Sequence, residues 1–266
     1  VTSAPLEIAE PKLPPHTVDA FHRGDFFVVQ PKKSGHRAGM DAMMLAASVP
    51  STFTGRLADF GAGAGAAGLA VASRCRSAHA LLVELTPEMA AFAEATLAHP
   101  DNTALKGRAT VLMADVALSG KARAEAGLAN GSLDWVIMNP PFNPQHHRPT
   151  PDALKRQAHV MDDGLFESWI RSAAAVVKPR GGFAIIARPE SLVPILNAME
   201  GRFGNAEVVP VHPRADASAI RVIVRAARAS RAPMQICPPL VLHEENDRFS
   251  QRADDINSGR SSLFGD

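Results

Sequence analysis

The chain has 266 residues, 46% of them hydrophobic and 21% charged, and its 28 Lys and Arg against 27 Asp and Glu leave a net charge of +1. These proportions suit a chain that buries a core and exclude a disordered or globally basic composition, so any nucleic-acid footprint has to be local. No apolar run approaches the roughly 18 residues of a membrane span, residues 1–15 lack a charged-then-apolar leader pattern, and Cys75 and Cys237 have no metal-type partner spacing. A reduced, cytoplasmic setting without membrane or metal is expected.

In chain order, residues 1–19 carry Pro5, Pro11, Pro14 and Pro15 and are expected to form an irregular arm. Apolar runs predict strands near 26–30, 56–60, 80–84, 109–114, 133–138, 182–187, 206–212 and 219–226. Helices are expected near 41–49, 65–75, 87–98, 121–128, 163–177 and 189–201. Thr86 before Pro87 is a start signal, and Pro179 with Gly181 and Gly182 is a stop signal. The alternation predicts an α/β fold with a doubly wound, mostly parallel sheet. No helix-length segment separates the last two strands, so they should pair as an antiparallel hairpin. One domain over 20–228 follows, and the polar residues 229–266 are expected to be a tail of loop with at most a short helix.

Residues 57–72 read as a short strand, a turn containing Gly61, Gly63 and Gly65, and a helix. Glycines there permit positive φ and close ligand approach, and the helix start offers free N–H groups. Gly63, Gly65 and Gly68 also satisfy a dinucleotide pattern, so a nicotinamide oxidoreductase competes at this point. Glu84, closing its strand, suits ribose hydroxyls on either reading. Asp59 before the glycines and Asp115 after the next strand add carboxylates at successive strand ends. That series suits a cationic ligand better than an anionic pyrophosphate.

Asn139-Pro140-Pro141-Phe142 then follows the strand at 133–138. The nitrogen of a planar amine is a poor nucleophile because its lone pair is delocalised. An Asn oxygen and the carbonyl of the following Pro can each accept one amine hydrogen and favour a pyramidal nitrogen. The prolines fix the backbone that aims those acceptors, and Phe142 can stack on the planar group. A proline-rich turn is the plainer explanation of the same four residues.

Taken together, these residues resemble the class I S-adenosylmethionine-dependent methyltransferases, in their amino-methylating branch, over roughly residues 20–228. The resemblance implies a seven-stranded, mostly parallel Rossmann-like sheet with the C-terminal hairpin. It implies S-adenosylmethionine as cofactor, with Gly61, Gly63 and Gly65 as its loop, Asp59 beside its methionine portion, Glu84 on its ribose and Asp115 near its adenine. It also implies that Asn139, Pro140 and Phe142 handle the acceptor amine, with Asn139 bordering the cofactor as well. Upstream, residues 30–46 are similar to the bacterial tRNA(Val) adenine-N6 methyltransferases, whose Gly-x-Asp lies against the cofactor; here these are Gly39 and Asp41. Met43 and Met44 stand where an aliphatic pair is more usual, a small departure because Met packs adaptably.

The stretch 143–159 is long, proline-rich and locally basic, and is expected to be a substrate lid. Arg148, Lys155 and Arg156 within it, and Lys32, Lys33 and Arg37 beside Gly39, are candidate phosphate contacts, although solvated surface charge would give the same composition. His146 and His147 have no carboxylate cluster at ligand spacing, so no metal is expected. Trp135 and Trp169 read as core. The combined reading is an N-methyltransferase acting on adenine N6 in RNA, tRNA in particular. The neighbouring alternatives are a protein glutamine amide and guanine N2 of ribosomal RNA, and an NAD-dependent oxidoreductase is the alternative from a different class.

Overall fold

The computed structural model describes residues 13–32, 37–141, 153–245 and 247–266, with side chains for all of these except 153–163. Its centre is a run of apolar strands: β3 (Gly55–Phe60), β4 (Ala78–Glu84), β6 (Leu133–Met138) and β7 (Val177–Ala187). They are apolar on both sides because helices cover both faces of a parallel sheet. With β5 (Ala109–Met113), β8 (Phe203–His212) and β9 (Arg221–Arg228) they form the expected seven strands, in the order β8-β9-β7-β6-β3-β4-β5. Only β9 reverses direction, pairing antiparallel with β7 and with β8. The expected C-terminal hairpin is therefore present.

Alternating side chains split the core into two clusters. Along β7, Phe183 and Ile185 face one cluster while Ala184 and Ile186 face the other. The first cluster contains Phe166 and Ile170 of α5 (Ala153–Val176) and Ile195 of α6 (Leu192–Met199), with the short α4 (Gly120–Glu125) nearby. The second contains α1 (Met40–Ala47), α2 (Ala66–Arg74) and α3 (Pro87–Ala98).

Four expectations need correction. The expected N-terminal arm is not irregular throughout, since β1 (His16–Phe21) pairs antiparallel with β2 (Phe26–Pro31) in a separate two-stranded sheet. The prolines end at Pro15, and Thr17, Val18 and Phe21 suit an edge strand. The turn between the two strands places His22, Arg23 and Gly24 at φ 47°, 58° and 101°. The strand expected at 26–30 thus exists but lies outside the central sheet, held on α3 and the turn after it by Val29 N–H to Thr96 Oγ1 at 2.9 Å and Phe27 N–H to Asn102 Oδ1 at 2.8 Å.

Second, α5 starts at Ala153 and not near 163. Ala153-Leu154-Lys155-Arg156-Gln157-Ala158 are strong helix formers, so the last part of the expected lid is helical. Residues 142–152, which carry the rest of it, lie outside the described residues. Third, α5 ends at Val176 and β7 begins at once, with Val177 opposite Leu133; residues 178–181, with Arg180 at φ 66°, bulge from the ladder, and continuous pairing runs from Gly182, where the strand was expected.

Fourth, residues 229–266 hold more structure than a loop with one short helix. β10 (Gln235–Ile236) and β11 (Leu240–Val241) pair parallel with β8, and α7 (Gln251–Asn257) follows. Leu240, Leu242, Ala253, Ile256 and Leu263 are buried in the same cluster as α1. Full burial of a Leu or Ile is worth about 1.5–3 kcal/mol, which outweighs the polar composition of the segment.

Candidate active site

The winding of the sheet changes direction between β3 and β6: β4 and β5 follow β3 on one side, and β7 follows β6 on the other. Open α/β sheets leave a crevice at such a switch point, beyond the carboxyl ends of the strands. Phe60 pairs with Met138 and with Val83, so Gly61, Asn139 and Glu84 each stand one residue past a paired position on three adjacent strands. Glu84 pairs with Met113, which places Asp115 two residues beyond on the next strand. Two motifs far apart in sequence, at Gly61 and at Asn139, are thus neighbours at one rim, since adjacent strands lie about 4.8 Å apart.

The glycine loop is shaped by positive φ and, at Gly61, Gly65 and Gly68, by contacts that leave no room for side chains. Gly61, Gly63 and Gly65 have φ of 70°, 56° and 92°, and a Cβ on Gly61 would stand 2.7 Å from the ring of Trp169. Gly68 has ordinary φ but close neighbours, with Leu82 Cδ2 2.5 Å and Asp59 Cβ 3.2 Å from the position of its missing Cβ. Above Gly63 the nearest atom is Met89 Cε at 3.7 Å, so the backbone there is open to a ligand.

Each carboxylate at the rim has a backbone partner. Glu84 accepts from Gly63 N–H at 2.9 Å through Oε2 and from Thr86 N–H at 2.8 Å through Oε1, tying the loop to the end of β4. Asp115 accepts from Ala117 N–H at 2.7 Å. Asp59, 2% exposed, accepts from Gly68 N–H at 2.8 Å. Burial pushes its carboxyl up to about 7 against the opposing effect of that N–H, and the Glu84 charge adds to the rise. Asp59 therefore lies beneath the loop and holds the first turn of α2, the end of a helix where negative charge is favoured.

Asn139 differs from these groups. Its Oδ1 is buried and has no hydrogen-bond partner among the described residues, a costly state for an amide oxygen. Trp135 Nε1 and Ser172 Oγ share that state, but Trp135 lies within β6 and Ser172 within α5, away from the strand ends. Pro140 is buried beside Asn139.

The remaining sequence candidates stand on other elements. Gly39 precedes α1 without a side-chain cap, and Asp41 in the first turn pairs with Arg221 at 2.9 Å. Lys32 is exposed. Arg37 already donates to Asp19 Oδ2 at 2.6 Å, Thr17 Oγ1 at 2.9 Å and Pro31 O at 2.8 Å, so a phosphate there would compete with Asp19. Lys33, Phe142 and Arg148 lie outside the described residues, as do the side chains of Lys155 and Arg156. Trp169 is 9% exposed and packs on Gly61 as core, while Trp135 is partly buried against Phe53. Sequence reading missed Leu85, a large apolar side chain 60% exposed directly after Glu84, and Met113, 62% exposed beside it. An apolar residue immediately after an acidic strand end was the available signal.

A doubly wound sheet with one reversed strand, a glycine loop and carboxylates at its switch point defines the S-adenosylmethionine-dependent methyltransferase class. The chain belongs to the methyltransferase small domain family, whose model matches residues 34–214. A structure from Agrobacterium tumefaciens described as a "predicted O-methyltransferase" is 42% identical, with TM-score 0.74, covering 84% of this chain and 98% of that one. A tRNA1(Val) (adenine(37)-N6)-methyltransferase of Bacteroides fragilis is 25% identical over 162 residues. That match spans 60% of this chain and 63% of the relative's length. A SAM-dependent O-methyltransferase from Thermotoga maritima, 16% identical with TM-score 0.52 and covering 75% of this chain and 69% of that one, shares the fold.

The cofactor is S-adenosylmethionine, and the residues at the rim suit it: two carboxylates, Glu84 and Asp115, stand there for a cation-bearing ligand, and the loop is open above Gly63. Among the described residues no group of His, Cys, Asp or Glu could hold a metal, and no helix is long and apolar enough to cross a membrane.

Proposed function

We propose that the protein methylates an exocyclic amine, and that the amine is N6 of adenine in tRNA. The observation that carries this reading is the buried Oδ1 of Asn139, unpartnered among the described residues, one residue beyond β6 and level with the glycine loop. An acceptor withdrawn from water and left unpaired is suited to a donor hydrogen that arrives with a substrate.

The chemistry that S-adenosylmethionine supplies when bound is an electrophilic methyl group on a sulfonium. Glu84 accepts the ribose hydroxyls, Asp115 faces the adenine, and Leu85 gives that ring an apolar neighbour. Asp59 keeps the loop in place from below, and Gly39 and Asp41 close the pocket from α1. Asn139 Oδ1 accepts one amine hydrogen and the Pro140 carbonyl the other, which localises the nitrogen lone pair. No strong base is needed because the nitrogen becomes acidic once it has attacked. Phe142 stacks on the base, which has to leave its own stack at a cost of a few kcal/mol.

The B. fragilis relative supports an RNA adenine as substrate, and a cytoplasmic setting goes with that reading. The description of the A. tumefaciens relative supports an oxygen acceptor instead. A hydroxyl brings one hydrogen to two acceptors, whereas an amine brings two. A protein glutamine amide has the same planar geometry as the adenine amine.

The test is incubation with methyl-labelled S-adenosylmethionine and, separately, total RNA, total protein and small-molecule extract from a strain lacking the enzyme. Label recovered as N6-methyladenosine in digested RNA is expected. Label recovered as methylated glutamine, or on oxygen in the small-molecule fraction, would overturn the substrate assignment.

A further inference from the structure

Three residues, Arg37, Ala38 and Asp41, anchor the segment that leads into α1 among the described residues. Arg37 pairs with Asp19 at 2.6 Å and Ala38 N–H donates to Gln30 Oε1 at 2.9 Å. Both tie the segment to the β1–β2 hairpin, which is separate from the central sheet. The third anchor is Arg221 Nε to Asp41 Oδ2 at 2.9 Å, between residues 180 apart in sequence. It ties the segment to β9, and so to the sheet whose rim carries Asn139 and Glu84.

Register places this pair at the same rim. Val222 is opposite Ala187 of β7, so Arg221 stands just beyond the end of that pairing, and β7 is the direct neighbour of β6. Two strand spacings, about 10 Å, separate the β9 and β6 backbones. Ile223, two residues on from Arg221 and therefore on the same side of β9, belongs to the cluster that includes α1.

The two ends of α1 are held differently. At its C-terminal end Arg74 donates to Ala46 O at 3.0 Å and Val49 O at 2.5 Å, and Leu263 N–H donates to Ala47 O at 2.7 Å. At its start Gly39 gives no side-chain cap, so the ion pair with Arg221 is the polar link between this turn and the central sheet among the described residues. Both side chains are about three-quarters buried, at 25% and 23% exposure, which limits screening by solvent. A carboxylate can accept about four hydrogen bonds, so pairing with Arg221 leaves Asp41 able to meet a cationic ligand.

We infer that Arg221 is a positioning residue for cofactor binding: by holding Asp41 it sets the Gly39-to-Asp41 turn against the sheet that carries the reaction site. This rests on the proposed placement of Asp41 in the cofactor pocket. Arg221 acts through Asp41, so its loss weakens cofactor binding and leaves the chemical step at Asn139 intact.

The experiment compares wild type, Arg221→Gln, Arg221→Lys, Asp41→Asn and the Arg221→Gln/Asp41→Asn double variant. The readouts are calorimetric S-adenosylmethionine affinity, KM and kcat, with thermal melting as the check on folding. Arg221→Gln is expected to raise the cofactor Kd and KM roughly tenfold, with kcat within about twofold. Arg221→Lys, which keeps the charge, should recover part of the loss and serves as the reading if the Gln variant melts early. The double variant should be no worse than the weaker single. Unchanged cofactor Kd in folded Arg221→Gln or Arg221→Lys, losses that add in the double variant, or a fall in kcat with KM unchanged would each overturn the assignment. Failure of the wild type to bind S-adenosylmethionine would instead overturn the cofactor placement on which it rests.

Discussion

The two sides of the switch point treat their polar groups in opposite ways. On the β3-β4-β5 side Asp59, Glu84 and Asp115 all accept backbone N–H groups, two of the three from the glycine loop or the helix that follows it. On the β6 side Asn139 presents a buried oxygen with no partner among the described residues. The proposed donor half of the crevice is therefore held by its own backbone before any ligand arrives, and on the proposed reading the acceptor half is completed by the substrate. A reusable cofactor site benefits from preorganisation, whereas a site for a base drawn out of RNA has to receive hydrogens that the substrate itself brings.

The sharpest way to break this contrast from the donor side is Glu84→Ala. The variant removes the proposed ribose contact and frees Gly63 N–H and Thr86 N–H together. A loss of about 1.5–3 kcal/mol in S-adenosylmethionine affinity is expected, roughly tenfold to more than a hundredfold, and calorimetric titration checks it. Asp115→Ala, which frees one N–H, should cost less. Equal losses in the two variants would remove the special place given to Glu84.

Gly68→Ala asks whether the donor half is rigid for packing reasons. A methyl group there meets Leu82 and Asp59, so denaturant unfolding should show about 1–3 kcal/mol of destabilisation. Unchanged stability would mean that α2 can move away from β4 freely.

A smaller effect concerns pH. The Asp59 pKa is raised from its ordinary 3.8 to about 7, so its contribution to stability is fully present below pH 4 and is lost as pH rises through 7. His22 lies against Phe26 and Gly259, and burial lowers its pKa from 6.5 to about 4. Its contribution is present above pH 6.5 and lost as pH falls through 4. The two slopes oppose each other in the wild type. Asp59→Asn should unmask the His22 slope, so that melting temperature climbs with pH between about 4 and 6.5 more steeply than in the wild type. A profile no steeper than the wild type's would contradict the burial argument for Asp59.

The proposed RNA contacts of Lys155 and Arg156 predict a smaller signature still. Replacing both with Ala should flatten the dependence of log affinity on log salt by about 0.7 per lost phosphate contact on single-stranded RNA. An unchanged slope would move the RNA contact elsewhere.

What the sequence made legible follows from how local each feature is. The glycine loop lies within residues 59–68, each strand end needs only its own apolar run, and the missing helix between β8 and β9 announces the hairpin. The proposal for Asn139 rests on a local signal too, the two prolines that follow it. The role of Asp59 was not: nothing in its surroundings distinguishes a carboxylate facing a ligand from one turned under the loop toward Gly68 N–H. β1 was hidden by the prolines before it and by an alternation of exposed and half-buried positions that is weak at an edge. The docking of residues 229–266 depends on Leu263 meeting Ala47 and Asp266 meeting Arg225 and Ser51, pairings with no local trace. The Asp41–Arg221 pair is invisible for the same reason.

The central claim is that Asn139 serves the acceptor and not the donor. Its most direct test measures Asn139→Ala for S-adenosylmethionine affinity by calorimetry and for methyl transfer to the substrate RNA in a single turnover. A rate about 10²- to 10³-fold lower is predicted, the range seen when one preorganised polar contact to a reacting group is removed, with cofactor Kd within about twofold of wild type. A transfer rate within about threefold of wild type, or cofactor affinity that falls in step with the rate, would contradict it.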